Sequence, residues 1–60
     1  MFKTMIIESM ELIESEFPGM QDEVLFEKVY ELICKNQESF LEMNEVDRFD
    51  YLVDGILFAA

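Results

Sequence analysis

The 60-residue chain has no histidine, and its only cysteine is Cys34. Histidine is the commonest general base and a frequent zinc ligand, so its absence argues against acid–base catalysis and a structural zinc site. A single cysteine excludes an intramolecular disulfide, and no residue is spaced to activate Cys34 as a nucleophile. We therefore expect a protein that is not an enzyme, with no catalytic residue, metal or cofactor, and we interpret Cys34 as a structural or partly exposed thiol.

Glycine and basic residues are also scarce. Two separated glycines cannot build a phosphate-binding loop. Four dispersed bases form no nucleic-acid patch; they are Lys3, Lys28, Lys35 and Arg48. Fourteen acids give a formal net charge of −10, which repels nucleic acids and anionic membranes but attracts basic surfaces of other proteins. We expect a protein partner with a basic surface and no direct binding to nucleic acid or membrane.

Long hydrophobic runs and a calcium-binding pattern are missing as well. The apolar run before Glu8 is only three residues long, so we expect no signal peptide or membrane span and place the protein in the reducing cytoplasm. Asp47, Asp50, Asp54 and Gly55 superficially resemble a calcium loop, but an EF-hand alternates its ligands and ends in glutamate. Their spacing is instead that of a helix.

The sequence does have a high apolar content: 52% of its residues are hydrophobic. A chain this short folds as one domain, buries about 60% of its unfolded surface, and has a core that rarely supplies more than ~3–5 kcal/mol. We therefore predict a single all-α domain over residues 1–60, a small three-helix fold built on an antiparallel helical hairpin, that gains stability by self-association.

The most regular amphipathic segment is 22–35. Its apolar residues recur at helical spacing and mark one face; they are Leu25, Phe26, Val29, Leu32 and Ile33. On the opposite face Glu23, Glu27 and Glu31 recur every four residues, and we call these three residues the acid column. Like charges at this spacing repel, so the acid column lowers stability unless something binds it. We predict that it binds the protein partner.

The first helix is predicted at about 4–16. A broad apolar arc faces the core; it contains Phe2, Met5, Ile6, Met10, Leu12 and Ile13. Pro18-Gly19 is a strong turn dipeptide and ends this helix. The connection of about four residues is short enough to make the first two helices antiparallel neighbours.

The last helix is predicted at about 45–58, with Asn44 as its N-cap. Its buried stripe is predicted to contain Val46, Phe49, Leu52, Val53, Ile56 and Leu57, and because the stripe passes Gly55 we expect the helix to continue through that glycine. Before it, Ser39 and Glu42 match a weak capping box for a short turn ending at Met43. Phe40, Leu41 and Met43 are predicted to close one end of the core.

Among the apolar residues that fall outside these stripes are Ile7, Tyr51 and Phe58. We predict that they mediate self-association, most simply as a two-fold dimer. The alternative is that Phe40 and Met43 fold over Tyr51 and Phe58 within one chain.

Three functions agree with this pattern. The leading prediction is a non-catalytic acidic interaction or regulatory protein that binds a larger protein. The second is a nucleic-acid mimic that occupies a basic groove, as an accessory protein of a phage or mobile element would, because carboxylates repeating every ~6 Å along a helix approach the charge spacing of a DNA strand. The third is a structural subunit of an assembly.

Overall fold

Four α-helices account for most of residues 2–58, the part of the chain that the computed structural model describes. Helical structure covers 86% of these residues and none of them lies in a strand, so the fold is all-α. The helices are α1 (Phe2–Ile13), α2 (Asp22–Lys35), α3 (Gln37–Glu42) and α4 (Glu45–Phe58). One core joins them; its buried apolar residues are Ile6, Ile13, Leu25, Val29, Ile33, Phe40, Leu52 and Ile56.

Helix α1 ends at Ile13 rather than at the predicted Glu16. The chain continues as one turn of 3-10 helix, Glu14–Glu16, closed by a hydrogen bond from the Phe17 amide to the Glu14 carbonyl (3.1 Å). Phe17 then leaves the helical region, as expected for a residue that precedes proline. The Met20 amide donates to the Phe17 carbonyl (3.1 Å) and completes the turn at Pro18-Gly19. The tighter final turn is the way this helix adapts to the approaching proline.

Helix α2 occupies the residues that the amphipathic pattern predicts. It begins after Gln21, whose backbone is extended (φ −70°, ψ 149°) and whose carbonyl accepts the first helical hydrogen bond from Leu25 (2.9 Å). Leu25 and Val29, one turn apart, are buried completely or nearly so, and Ile33 continues the same line. Because α1, α3 and α4 all contact it, α2 is the central element of the core.

Helix α3 is longer than the predicted turn, and its N-cap position is Asn36, three residues before the predicted Ser39. Asn36 precedes it, and the Asn36 carbonyl accepts from the Phe40 amide (2.8 Å), so Ser39 lies inside the helix and caps nothing. Phe40 is fully buried and Met43 is half-buried, as predicted for the end of the core. The prediction for Leu41 is wrong, because this side chain is exposed. A helix of six residues turns one narrow face inward, and Phe40 occupies it.

Helix α4 also occupies its predicted residues. The Asn44 side-chain oxygen accepts from the Asp47 amide (2.8 Å), which confirms the N-cap, and the helix continues through Gly55. Two members of its predicted buried stripe are nevertheless exposed: Val46 by 68% and Leu57 by 61%. Both lie at one edge of the predicted stripe, whereas the covered side of α4 extends past the other edge, where Tyr51 and Gly55, outside the stripe, are half-buried. The covered part is centred on Leu52 and Ile56.

Candidate docking groove between α1 and α2

An open groove of about 690 Å³ runs along the surface where α1 packs beside α2. Its apolar floor consists of Ile7, Met10 and Phe26. Ile7 is 41% exposed, and the other two side chains are half-buried. The charged residues that line the groove are Lys3, Glu11, Glu14, Asp22, Glu23 and Glu27. We call this feature the acidic groove.

The acidic groove follows directly from helical spacing. On α1, Lys3, Ile7 and Met10 lie four and then three residues apart, which places them on one side of the helix. On α2, Glu23 and Glu27 are one turn apart, and Phe26 lies between them and the buried face. The core requires the buried lines of the two helices to face each other, so the adjoining lines of both helices form the two edges of the groove.

The electrostatics of this groove are one-sided. It is lined by five carboxylates and one ammonium group, so its formal charge is −4. All five acids are exposed to solvent. Like charges gathered on a surface raise the local concentration of a cationic partner and increase its association rate. Physically, the groove suits an oppositely charged group that also has an apolar part.

The structure divides the predicted acid column between two places. All three of its residues are exposed, but Glu23 and Glu27 line the acidic groove, whereas Glu31 lines a different groove of about 420 Å³ beside Leu32 and Gly55. Lys28 and Lys35 line that second groove as well, so its charge is mixed. The acidic groove contains three further acids that were not predicted as binding residues: Glu11, Glu14 and Asp22. The short connection predicted between the first two helices makes these helices neighbours, and this was the signal that could have grouped the three acids with Glu23 and Glu27.

The residues predicted for self-association lie in three different environments. Ile7 lies on the floor of the acidic groove. Phe58, at the end of α4, is 79% exposed. Tyr51 is half-buried, and its ring packs against Phe40 with the ring centroids 6.1 Å apart. The three residues therefore do not form one continuous strip, and their role in self-association stays a prediction.

Two side chains of α4 stabilise the ends of other helices, and sequence reasoning missed both. The Tyr51 hydroxyl donates to the Leu32 carbonyl in the last turn of α2 (2.7 Å) and accepts from the Asn36 side-chain amide (3.0 Å). Arg48 Nε donates to the Phe40 carbonyl (3.1 Å), and the guanidinium lies 4.7 Å from the centre of the Phe40 ring. The Phe40 carbonyl also accepts from the Met43 amide (3.1 Å), so Arg48 adds a second donor at the end of α3, and Tyr51 adds a side-chain donor in the last turn of α2.

Other polar groups offer little reactive chemistry. Cys34 is exposed, and its hydrogen bond with Tyr30 is the main cause that raises the pKa of the Tyr30 hydroxyl above its ordinary value. Ser9 is buried, and its hydroxyl donates to the Met5 carbonyl (2.8 Å). Among residues 2–58, no three side chains of the metal-binding types converge, and no buried side-chain nitrogen or oxygen lacks a hydrogen-bond partner.

A helix that spans a lipid bilayer needs about 20 predominantly apolar residues. None of the helices within residues 2–58 is both long and apolar enough to cross a membrane. Comparisons with protein-family models, with curated proteins and with solved structures found no significant match for this chain.

Proposed function

We propose that this chain is a non-catalytic interaction or regulatory protein that binds a basic surface of a larger protein through the acid column and the neighbouring acids. The observation that carries this proposal is the exposed cluster of carboxylates along α1 and α2 in a chain of net charge −10. A lysine or arginine surface on the partner is the complement of that cluster.

The arrangement of acids on α2 supports a binding role rather than a stabilising one. Glu27 has an acid one turn before it, Glu23, and another one turn after it, Glu31. Each like-charged pair at this spacing destabilises a helix by about 0.2–0.5 kcal/mol. In a domain with a core this small, such repulsion is a noticeable loss of stability, and a cationic partner would remove it.

The experiment is a capture from native lysate with the full chain as bait. The triple variant Glu23→Gln, Glu27→Gln, Glu31→Gln should lose a partner that the wild type retains at physiological salt. A matched control replaces Glu8, Glu16 and Glu42 by glutamine, which changes the net charge equally at exposed sites outside the acidic groove. The control variant should keep the partner. Equal retention by the wild type and the triple variant would show that the acid column is a solvated surface.

Self-association is the second part of the proposal. We also propose that α1 and α2 are antiparallel. The edge contact between Phe2, near the start of α1, and Tyr30, late in α2, supports this arrangement (ring centroids 5.7 Å apart). A homodimer would cover apolar side chains that one chain leaves in solvent. On α4 these are Val46 and Leu57, which share a face, and Phe58. A dimer at α4 leaves the acidic groove free for the partner.

A further inference from the structure

The acidic groove combines two properties that an acidic surface alone does not have. Its floor is apolar, with Ile7 open to solvent and Phe26 half-buried beside it, and acids stand on both of its edges. Glu11 on α1 and Glu14 in the 3-10 turn that follows form one edge, whereas Glu23 and Glu27 on α2 form the other. A flat basic surface would satisfy the charges and leave the apolar floor uncovered.

The geometry points to a specific occupant: an amphipathic helix of another protein whose apolar stripe lies on the floor and whose flanking lysines and arginines meet the acids of both edges. This inference rests on the proposed function and names the class of partner and its binding site. Helices bind such grooves through apolar residues at i, i+3, i+4 and i+7.

The size of the groove suits a short helical segment. From Lys3 to Glu14 the α1 edge is about 16 Å long, which equals roughly three turns of an α-helix. The volume of about 690 Å³ is enough for several aliphatic side chains. Lys3 is the one base in the lining, so the occupant should be less basic at the end that lies against it.

A second copy of this chain is a poor occupant. The chain has four bases against fourteen acids, and Arg48 is bonded to the Phe40 carbonyl. Lys28 and Lys35 are on α2 itself, beside Glu31 and away from the acidic groove. A groove of formal charge −4 therefore repels the mainly acidic surface of a second copy of the chain.

The test uses the full chain and a synthetic peptide of about 14 residues, or four helical turns, with leucine at i, i+3, i+4 and i+7 positions and lysine elsewhere. One control peptide replaces every leucine by alanine at unchanged charge. The other replaces every lysine by glutamate. Binding is measured by calorimetry, and the site is mapped by NMR amide shifts of the labelled chain.

The leucine–lysine peptide should bind, and the alanine peptide should bind about tenfold more weakly or worse, because its apolar stripe buries less surface. The glutamate peptide should not bind. The largest amide shifts are expected at Ile7, Met10 and Phe26. No binding of the leucine–lysine peptide, or shifts centred on α4, would overturn the docking groove.

Two variants on the same helix provide a matched comparison. Glu27→Gln should raise the dissociation constant about two- to fivefold, as expected for loss of one exposed ion pair, whereas Glu31→Gln should change it much less. Ile7→Ser should weaken the leucine–lysine peptide and leave the alanine peptide unaffected. Thermal melts verify that each variant is folded.

These results separate the inference from the function it rests on. If Glu31→Gln weakened peptide binding as much as Glu27→Gln, the acid column would act as a simple charged surface, so the proposed function would stand and the docking groove would fail. If the triple-glutamine bait retained every partner, the proposed function would fail whatever the peptide does.

Discussion

The hydroxyl oxygen of Tyr51 lies 2.7 Å from the main-chain carbonyl oxygen of Leu32 and donates a hydrogen bond to it. The two residues are nineteen positions apart, on α4 and in the last turn of α2. The same hydroxyl accepts from the Asn36 side chain, which lies between α2 and α3. One phenol group therefore joins α4 to the end of α2 and to the start of α3.

We predict that Tyr51→Phe lowers the free energy of unfolding by about 1 kcal/mol, because the ring stays and the hydrogen bond to the Leu32 carbonyl is lost. Urea denaturation measures the change. Tyr30→Phe is the control, since Tyr30 is exposed and its side-chain partner is Cys34 on the same helix. Equal effects of the two substitutions would show that the Tyr51 contact does not stabilise α2.

Gly55 of α4 packs directly against the Leu32 side chain of α2. A methyl group at Gly55 would lie 2.7 Å from Leu32 Cδ2 and 2.8 Å from Cδ1. Gly55→Ala gains about 1 kcal/mol in helix propensity but overpacks this contact, which typically costs about 1–3 kcal/mol. We expect a net loss of stability.

The sign should reverse when Leu32 is shortened. In a Leu32→Ala background the clashing atoms are gone, so adding Gly55→Ala should stabilise the chain by about 1 kcal/mol. The wild type, the two single variants and the double variant form a double-mutant cycle. Thermal or urea denaturation in a stabilising osmolyte measures the stability of each protein. Gly19→Ala is a useful reference, since a methyl group there meets nothing within 4 Å. Stabilisation by Gly55→Ala in the wild-type chain would mean that Leu32 moves away freely.

Val29 and Val24 allow the same substitution at a buried and an exposed site of α2. Val29 is fully buried, so Val29→Ala should lower the free energy of unfolding by about 1–3 kcal/mol through lost burial and a residual cavity. Val24 is exposed, and Val24→Ala should change it by less than about 0.5 kcal/mol. Thermal melts of both variants provide the comparison. Similar melting temperatures would contradict a central position of α2 in the core.

Glu27 is the acid whose removal should stabilise the chain. Glu27→Gln eliminates the repulsions with Glu23 and Glu31 and should raise the free energy of unfolding by about 0.4–1 kcal/mol at low salt. The gain should shrink as salt rises, because exposed charges are screened. Glu31→Gln is the control: it removes one repulsion but also the favourable spacing with Lys35, so its effect should be near zero. A loss of stability for Glu27→Gln would mean that its carboxylate has a stabilising partner.

Self-association should strengthen with added salt, because two chains of formal charge −10 repel and salt screens that repulsion. Light scattering or sedimentation over a concentration series at low and high salt measures it. Leu57→Ser and Phe58→Ser should weaken the dimer, since both side chains are exposed at the end of α4. A monomer under all conditions would contradict the proposed dimer.

Local chemistry in the sequence was enough to predict where the main helices lie. The helical spacing of apolar residues determined α2 and α4, and Asn44 determined the start of α4. Pro18 indicated that helical structure stops at Glu16, although the last turn before it is 3-10 rather than α-helix. These features act within a few residues, through backbone hydrogen bonds and steric restriction, and therefore leave a readable pattern. The acids of the column were likewise exposed where periodicity predicted them.

Tertiary packing decided which apolar residues are buried and which acids come together. Val46 and Leu57 continue the stripe of α4, yet they are exposed because the neighbouring helices cover the other side of α4, where Tyr51 and Gly55 are half-buried. Glu23 and Glu31 belong to one sequence pattern, yet they line different grooves because α1 and α4 pack on different sides of α2. Periodicity describes one helix at a time, whereas burial and grouping depend on the angles and distances between helices, and these result from contacts between residues far apart in the chain.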